Sequence, residues 1–310
     1  MISTIILIIV GVILIVGLTL WLIGERWHPL RRSTWKVMKE AGLRRNLNLS
    51  TIHAYVYARW VTQYIKVLLY YIMPRLKPRG KMWLADHVHY KVLTTENAKS
   101  IITLNKNIPR TDLEKIIPYP MARDIVLNGP PDVVVFDCGC RQAGENPCQP
   151  IQVCMVIGKP FTDFILEHHP KTSRRLTQSE ALELLEAEHE RGHIHTAWFK
   201  DVMLGRFYAI CNCCKCCCIG VNAMVKYDIP MAASSGYVCE ISEDCNGCGQ
   251  CSDYCVFEAI SVNERAHVNY EKCMGCGVCE SKCPTEAISL KRDPAKGEPL
   301  DVWALSEKVL

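Results

Sequence analysis

Eight cysteines near the C-terminus constrain this chain more than any other feature. Cys245, Cys248, Cys251 and Cys255 recur at Cys273, Cys276, Cys279 and Cys283, each 28 positions further on. The residues that follow repeat as well, Glu258-Ala259-Ile260-Ser261 against Glu286-Ala287-Ile288-Ser289. Self-similarity at a fixed period marks a duplicated supersecondary unit. Each copy reads C-x2-C-x2-C-x3-C. Three thiolates two residues apart let one tight loop wrap three corners of a cubane cluster. Gly247 and Gly249, and Gly275 and Gly277, let that loop curl close and turn backbone N–H groups toward the sulfides. The fourth cysteine begins a helix too far away to close the same cluster, and it reaches the other one. Zinc also takes C-x2-C pairs, but a zinc site stops at four ligands, whereas each triplet here has a displaced fourth cysteine.

Over residues 237–290 these motifs resemble the bacterial two-cluster ferredoxin family. The resemblance implies an α+β fold with pseudo-twofold symmetry and two [4Fe–4S] clusters. Carried over by position, one cluster takes Cys245, Cys248, Cys251 and Cys283; the other takes Cys273, Cys276, Cys279 and Cys255. The family's proline after the fourth cysteine is present as Pro284, while Val256 follows Cys255. Ile241, Val256, Phe257, Ile260, Val278 and Ile288 are expected to shield the clusters from water.

Eleven of the 19 cysteines lie outside these motifs. Four fall in DCGCRQAGENPCQPIQVC, at Cys138, Cys140, Cys148 and Cys154, and six crowd into CNCCKCCC at 211–218. Within the latter, Cys211, Cys214 and Cys217 repeat the C-x2-C-x2-C ladder, and Cys213 and Cys216 form another C-x2-C pair. The two groups together predict one or two further iron–sulfur clusters. Candidate ligands are Cys138, Cys140, Cys148, Cys154, Cys211, Cys213, Cys214 and Cys217. Zinc and redox-active thiols are the alternatives. Arg141 and Lys215 are placed to offset cluster charge, or are simply solvated. Residues 118–290 also resemble uncharacterised proteins of anaerobes, in which C-x-C-R and CNCC-type segments precede a two-cluster ferredoxin domain. His189, His193 and His195 lie close together in sequence, although a histidine group after a capped helix is more often plain surface than a metal site.

The N-terminus sets the expected location. No charged side chain precedes Glu25, and the stretch from Ile2 is almost wholly apolar, which predicts a transmembrane anchor at 1–24 rather than a cleaved signal. From Glu25 to Lys91 there are fourteen Lys/Arg against three acids, leaving 22 bases and 29 acids elsewhere. The positive-inside rule then puts the body on the cytoplasmic side of a single-pass membrane protein. A reducing compartment disfavours disulfides and favours metal ligation. The bases are expected to face anionic lipid, not nucleic acid. Residues 51–73 read as an amphipathic helix at the membrane interface or packed on the body.

Asp132-Val133-Val134-Val135-Phe136-Asp137 reads as a buried strand leading into Cys138. Residues 151–166 read as helical, broken near Pro160. Thr177-Gln178-Ser179-Glu180 is a capping box opening a helix that stops at Gly192. The expected organisation is an anchor (1–24), a basic juxtamembrane segment (25–84), a cysteine-rich α/β domain (85–236), a two-cluster ferredoxin domain (237–291) and a tail (292–310). The overall class is α+β. No P-loop, G-x-G-x-x-G or nucleophile context is present, and Asn48-Leu49-Ser50 is discarded as a glycosylation site.

The composite expectation is a membrane-anchored electron-transfer protein passing single electrons between redox partners, dehydrogenase or reductase subunits, with quinone a further partner. It reads as a subunit of an oxidoreductase complex more than as a stand-alone enzyme. Two alternatives stay open: a reductase subunit with an open-site cluster in the cysteine-rich domain, and a membrane-tethered zinc or redox sensor.

Overall fold

The structure is a computed structural model that describes residues 2–42, 46, 48–105, 116 and 130–307. The parts of the expected segments outside those ranges lie outside the described residues.

A seven-stranded sheet organises the chain, in the order β4-β2-β3-β6-β5-β1-β7. Its strands are β1 (Val88–Leu93), β2 (Val133–Asp137), β3 (Gln152–Ile157), β4 (Ser173–Leu176), β5 (Ile194–Lys200), β6 (Arg206–Cys213) and β7 (Ala232–Ala233). All neighbours are antiparallel except β1 and β7. The expected strand at 132–137 is present as β2. The expected helical stretch at 151–166 is instead β3 followed by a helix, Phe161–His168. The reason is burial on both faces: a central strand then reads as a continuous apolar run, which periodicity alone cannot tell from a helix.

Successive side chains alternate between two cores. Val133, Val135, Met155, Ile157, Ala197 and Phe199 face one, covered by helices Thr95–Thr103, Gln178–Glu190 and Val302–Glu307. Val134, Val156, Trp198 and Tyr208 face the other. Here lie helices Phe161–His168 and Ile219–Tyr227, and the pair Leu49–Arg59 and Val61–Val67, which breaks at Trp60. The capping box is complete: Thr177 Oγ1 accepts from Glu180 N–H, and the Glu180 carboxylate accepts from Thr177 N–H.

The fold corrects the expected class. The chain is mixed α/β on a seven-stranded sheet, and among the described residues no helix is long and apolar enough to cross a membrane. This overturns the transmembrane anchor, and with it the single-pass location and cytoplasmic orientation. The first helix is Ile2–Gly24. Glu25, which follows, is fully buried. Its carboxylate accepts from Thr34 Oγ1 at 2.9 Å and Tyr55 OH at 2.8 Å and lies 3.8 Å from His168 Nε2, tying this end to the sheet domain.

Candidate thiolate sites

After β7 the chain forms two small antiparallel pairs: β8 (Tyr237–Ile241) with β11 (Ile288–Arg292), and β9 (Ile260–Val262) with β10 (Ala266–Val268). The sequence repeat is also a repeat of backbone shape. Gly247 and Gly249 have φ of 70° and 84°, and Gly275 and Gly277 have 64° and 83°. Glu258 and Glu286 take 53° and 52°. Gly249 caps helix Gln250–Tyr254, which carries Cys251, and Gly277 caps Val278–Ser281, which carries Cys279.

Cys245, Cys248 and Cys251 from the first repeat and Cys283 from the second line a cavity of about 270 Å3. The Cys245 thiol accepts from Ala266 N–H at 3.5 Å. Cys255 leaves its own loop for the second group. Burial pushes the Cys255 and Cys276 thiols up, and charge on Cys273 and Cys279 adds to it. Cys255 Sγ accepts from Ala259 N–H at 3.2 Å. Cys239, on β8, sits 3.9 Å from Cys273 and holds that thiol down at about 6. Ile260 and Ile288 are buried around these thiols, as expected of shielding residues. Val256, Phe257 and Val278 instead pack into the second core of the seven-stranded sheet. That contact gives an apolar residue at 256 a structural reason.

The second set is assembled by sheet topology. β3 runs antiparallel between β2 and β6, so the C-terminal ends of β2 and β6 meet the start of β3. Cys138 follows β2, Cys154 lies in β3, and Cys211 and Cys213 end β6. Cys140 rides the short helix Gly139–Ala143, and Cys218 caps helix Ile219–Tyr227. Cys138, Cys140, Cys154, Cys211, Cys213, Cys214 and Cys218 line one cavity of about 280 Å3 with Arg141. Bonds from the Cys140 and Cys154 thiols hold Cys138 well below the ordinary thiol range; the same bonds push those two partners up.

Arg141, 1% exposed, donates to Glu188 Oε2 at 2.7 Å, to Asn212 O at 3.2 Å and to Pro150 O. Its Nε has no partner among the described residues. A buried cation with a spare N–H beside seven thiols fits an anionic cluster, because thiolate sulfur accepts N–H bonds and buried charge needs a counter-charge. Lys215 is exposed.

A family model described as a 4Fe-4S binding domain matches residues 266–289, the stretch that contains Cys273, Cys276, Cys279 and Cys283. No curated protein and no solved structure matches the chain. The chain carries a 4Fe–4S binding domain. At least one 4Fe–4S cluster and an iron–sulfur electron-transfer role come with it.

Not all expected ligands converge. Cys148 and Cys217 lie outside the cavity that holds Cys138, Cys140, Cys154, Cys211, Cys213 and Cys214. Cys148 instead stands with Cys214 and Cys216, their sulfurs within 4.8 Å of one another, and Cys217 is 3.3 Å from Cys216. The three histidines do not converge on one point: the His189 and His195 rings stack at 6.1 Å, but His189 Nδ1 meets Thr95 Oγ1, His195 Nδ1 meets Asn212 Oδ1, and His193 faces Glu188 and Cys148. Cys218 is a cavity wall the ladder spacing passed over; its C-x-C distance from Cys216 was a signal available in the sequence.

Nothing in the sequence flagged Lys200. It ends β5 in an apolar pocket that shares Cys140, Cys154 and Cys211 with the thiol set. Its ammonium lies 3.3 Å from the Tyr57 ring centroid, and Tyr57 OH bonds Tyr208 OH at 3.0 Å. Burial pushes the Lys200 pKa down to about 7.

Proposed function

We propose that this chain is a multi-cluster iron–sulfur electron-transfer subunit. Cys245, Cys248, Cys251 and Cys283 hold one [4Fe–4S] group. Cys273, Cys276, Cys279 and Cys255 hold a second. Cys138, Cys140, Cys154 and Cys211 hold a third, with Cys213 and Cys218 beside them. Such groups supply one-electron storage at potentials within about −700 to +450 mV. The chain holds them with thiolates, donates N–H bonds to sulfur from Ala259 and Ala266, keeps the Arg141 Nε–H, unpartnered among the described residues, beside the third group, and excludes water with two apolar cores. Its partners are redox proteins, dehydrogenase or reductase subunits, that give and take single electrons.

The observation that supports this most is the ring of thiols around the 270 Å3 cavity, three from one repeat and one from the other. A duplicated zinc module has no reason to exchange its fourth ligand. Iron and acid-labile sulfide per chain, with EPR of the reduced protein purified without oxygen, test the reading. About twelve irons are expected, and about eight would remove the third group. C283S should lose about four irons and one EPR component, and C255S the other component. If either substitution removes both or neither signal, the crossed ligation is wrong.

One observation favours a second reading, a reductase subunit whose cysteine-rich domain acts on substrate. The apolar cavity at Lys200 opens directly onto Cys140, Cys154 and Cys211. If the purified protein binds no apolar carbonyl compound in that cavity, the reading falls.

A further inference from the structure

We propose that Cys148, Cys214, Cys216 and His193 Nε2 form a mononuclear zinc site, separate from the iron–sulfur groups and independent of their assignment. Among the described residues, Cys148, Cys214 and Cys216 are the one set of three or more Cys, His, Asp or Glu groups whose ligand atoms all lie within 4.8 Å. No three of the ferredoxin-type cysteines converge in that way. The contrast is chemical. Cubane ligands each sit on a separate iron and stand apart around a cavity, whereas ligands of one ion crowd to its coordination distance.

The spacing of the three sulfurs fits three corners of a single tetrahedral ion. Zn–S of about 2.3 Å and Zn–N of about 2.0–2.1 Å put two sulfurs about 3.8 Å apart and a sulfur and nitrogen about 3.6 Å apart. Cys214 and Cys216 are 3.6 Å apart, and Cys148 Sγ is 3.6 Å from His193 Nε2; the histidine nitrogen stands outside the 4.8 Å group of the three sulfurs and completes the site by moving toward the ion.

His193 is oriented for the task. Its Nδ1 lies 2.7 Å from Glu188 Oε2, a fully buried carboxylate also bonded by Arg141 and Arg191. Arg141 Nη2 approaches the same ring nitrogen at 3.1 Å. A carboxylate that accepts from Nδ1–H fixes the tautomer and leaves the Nε2 lone pair toward Cys148, the arrangement that metal-binding histidines share. Cys216 is exposed, so an ion reaches the site from solvent, and Lys215 and Arg141 offset the charge of three thiolates on a divalent ion.

Zinc has no redox chemistry of its own. Its effect here is to close the 144–150 loop onto the 214–217 turn, at the edge of the thiol cavity. Cys217 touches Cys216 at 3.3 Å and is not a ligand in this arrangement.

The test uses the full chain purified without oxygen. Zinc and iron are counted after gel filtration in chelator, and Co2+ is substituted for its d–d and thiolate charge-transfer bands. One zinc per chain is expected, with a cobalt spectrum of three sulfurs and one nitrogen. C148S and C216S should lose the zinc and keep their iron; C217S should keep both. H193Q should lose the zinc or shift the cobalt bands. Wild-type protein that holds no zinc through the chelator overturns the proposal. So does a C216S variant that loses about four irons, because these thiols then serve a cluster. A cobalt spectrum of four sulfurs, lost in C217S and unchanged in H193Q, overturns the histidine ligand. The cobalt spectrum of wild type needs no variant to fold.

Discussion

Replacing Gly275 by alanine tests the ferredoxin reading at its tightest point. Gly275 sits at φ 64° between Cys273 and Cys276. An added Cβ would lie 2.1 Å from Tyr237 O and 2.4 Å from Ser235 Oγ. Neither atom is free to move: Tyr237 starts β8, and Ser235 Oγ donates to Gly275 O at 2.6 Å and accepts from Tyr237 N–H at 3.2 Å. The left-handed backbone costs alanine about 1–2 kcal/mol. Forcing the loop off β8 adds about 1–3 kcal/mol of overpacking and loses a hydrogen bond of about 1 kcal/mol. The total is roughly 3–6 kcal/mol, concentrated in one cluster loop. Gly249 is the control: its φ is 84°, but nothing lies within 4 Å of its Cβ position, so G249A should cost only about 1–2 kcal/mol. Anaerobic denaturation followed by cluster absorbance, with iron analysis, reads both. G275A should lose about four irons and G249A none. Full iron in G275A, with a stability within about 1 kcal/mol of G249A, would refute the argument that backbone closeness shapes the loop.

Three other outcomes follow from buried groups. Lys91 is 1% exposed, donates to Glu298 O at 2.7 Å, and has its pKa pushed down by burial to about 8. The folded chain therefore sheds this proton before the unfolded one does, so stability should rise from about pH 8 to 10.5 by up to ~3 kcal/mol. K91M should lack that rise; urea midpoints across this range that match wild type would contradict it. R141Q removes a buried cation and leaves Glu188 only Arg191 and His193, costing about 3 kcal/mol, and it should change iron content of the thiol cavity without touching the ferredoxin EPR signals. T177A removes one half of the capping box and should lower the thermal midpoint by the equivalent of about 1 kcal/mol, with iron unchanged.

What the sequence made legible was local. The β2 run of valines and the Thr177–Glu180 box each specify structure within a few residues, and each appears in the fold as read; the 28-residue thiol repeat appears as a repeat of backbone shape. What stayed hidden depends on pairing across long separations. Strand β3 looked helical because its apolar run faces two cores at once, a fact fixed by β2 and β6 on either side. Cys148 looked like one of four equivalent thiols in its segment. The sheet places Cys138 and Cys154 at one end of β2 and β3, while the loop between them carries Cys148 out to Cys214 and Cys216. Lys200 gave no signal because its partners, Tyr57 and Tyr208, arrive from a helix and a strand that spacing does not link.

The two thiol regions therefore differ in how much of the fold they require. Under the proposed ligation of the ferredoxin repeat, three ligands of each group come from one short loop, and the fourth arrives from a unit of the same design. Loop closure over such separations costs little, growing only as the logarithm of length. The cavity at Cys138, Cys140, Cys154 and Cys211 exists only where β2, β3 and β6 have paired, because no two of the strand ends that build it are joined by a tight turn. Its floor is the second core, which also receives Val256, Phe257 and Val278 from the ferredoxin repeat. Packing thus couples the two regions through one apolar core, and a substitution that loosens Val256 acts on both. V256A removes a side chain that is 2% exposed and should cost about 1–3 kcal/mol by lost burial. If the regions share that core, the iron of the sheet cavity becomes easier to strip by chelator in V256A, although the substitution lies beside Cys255. Unchanged stripping of the sheet cavity would mean that the two units are joined by sequence and not by packing.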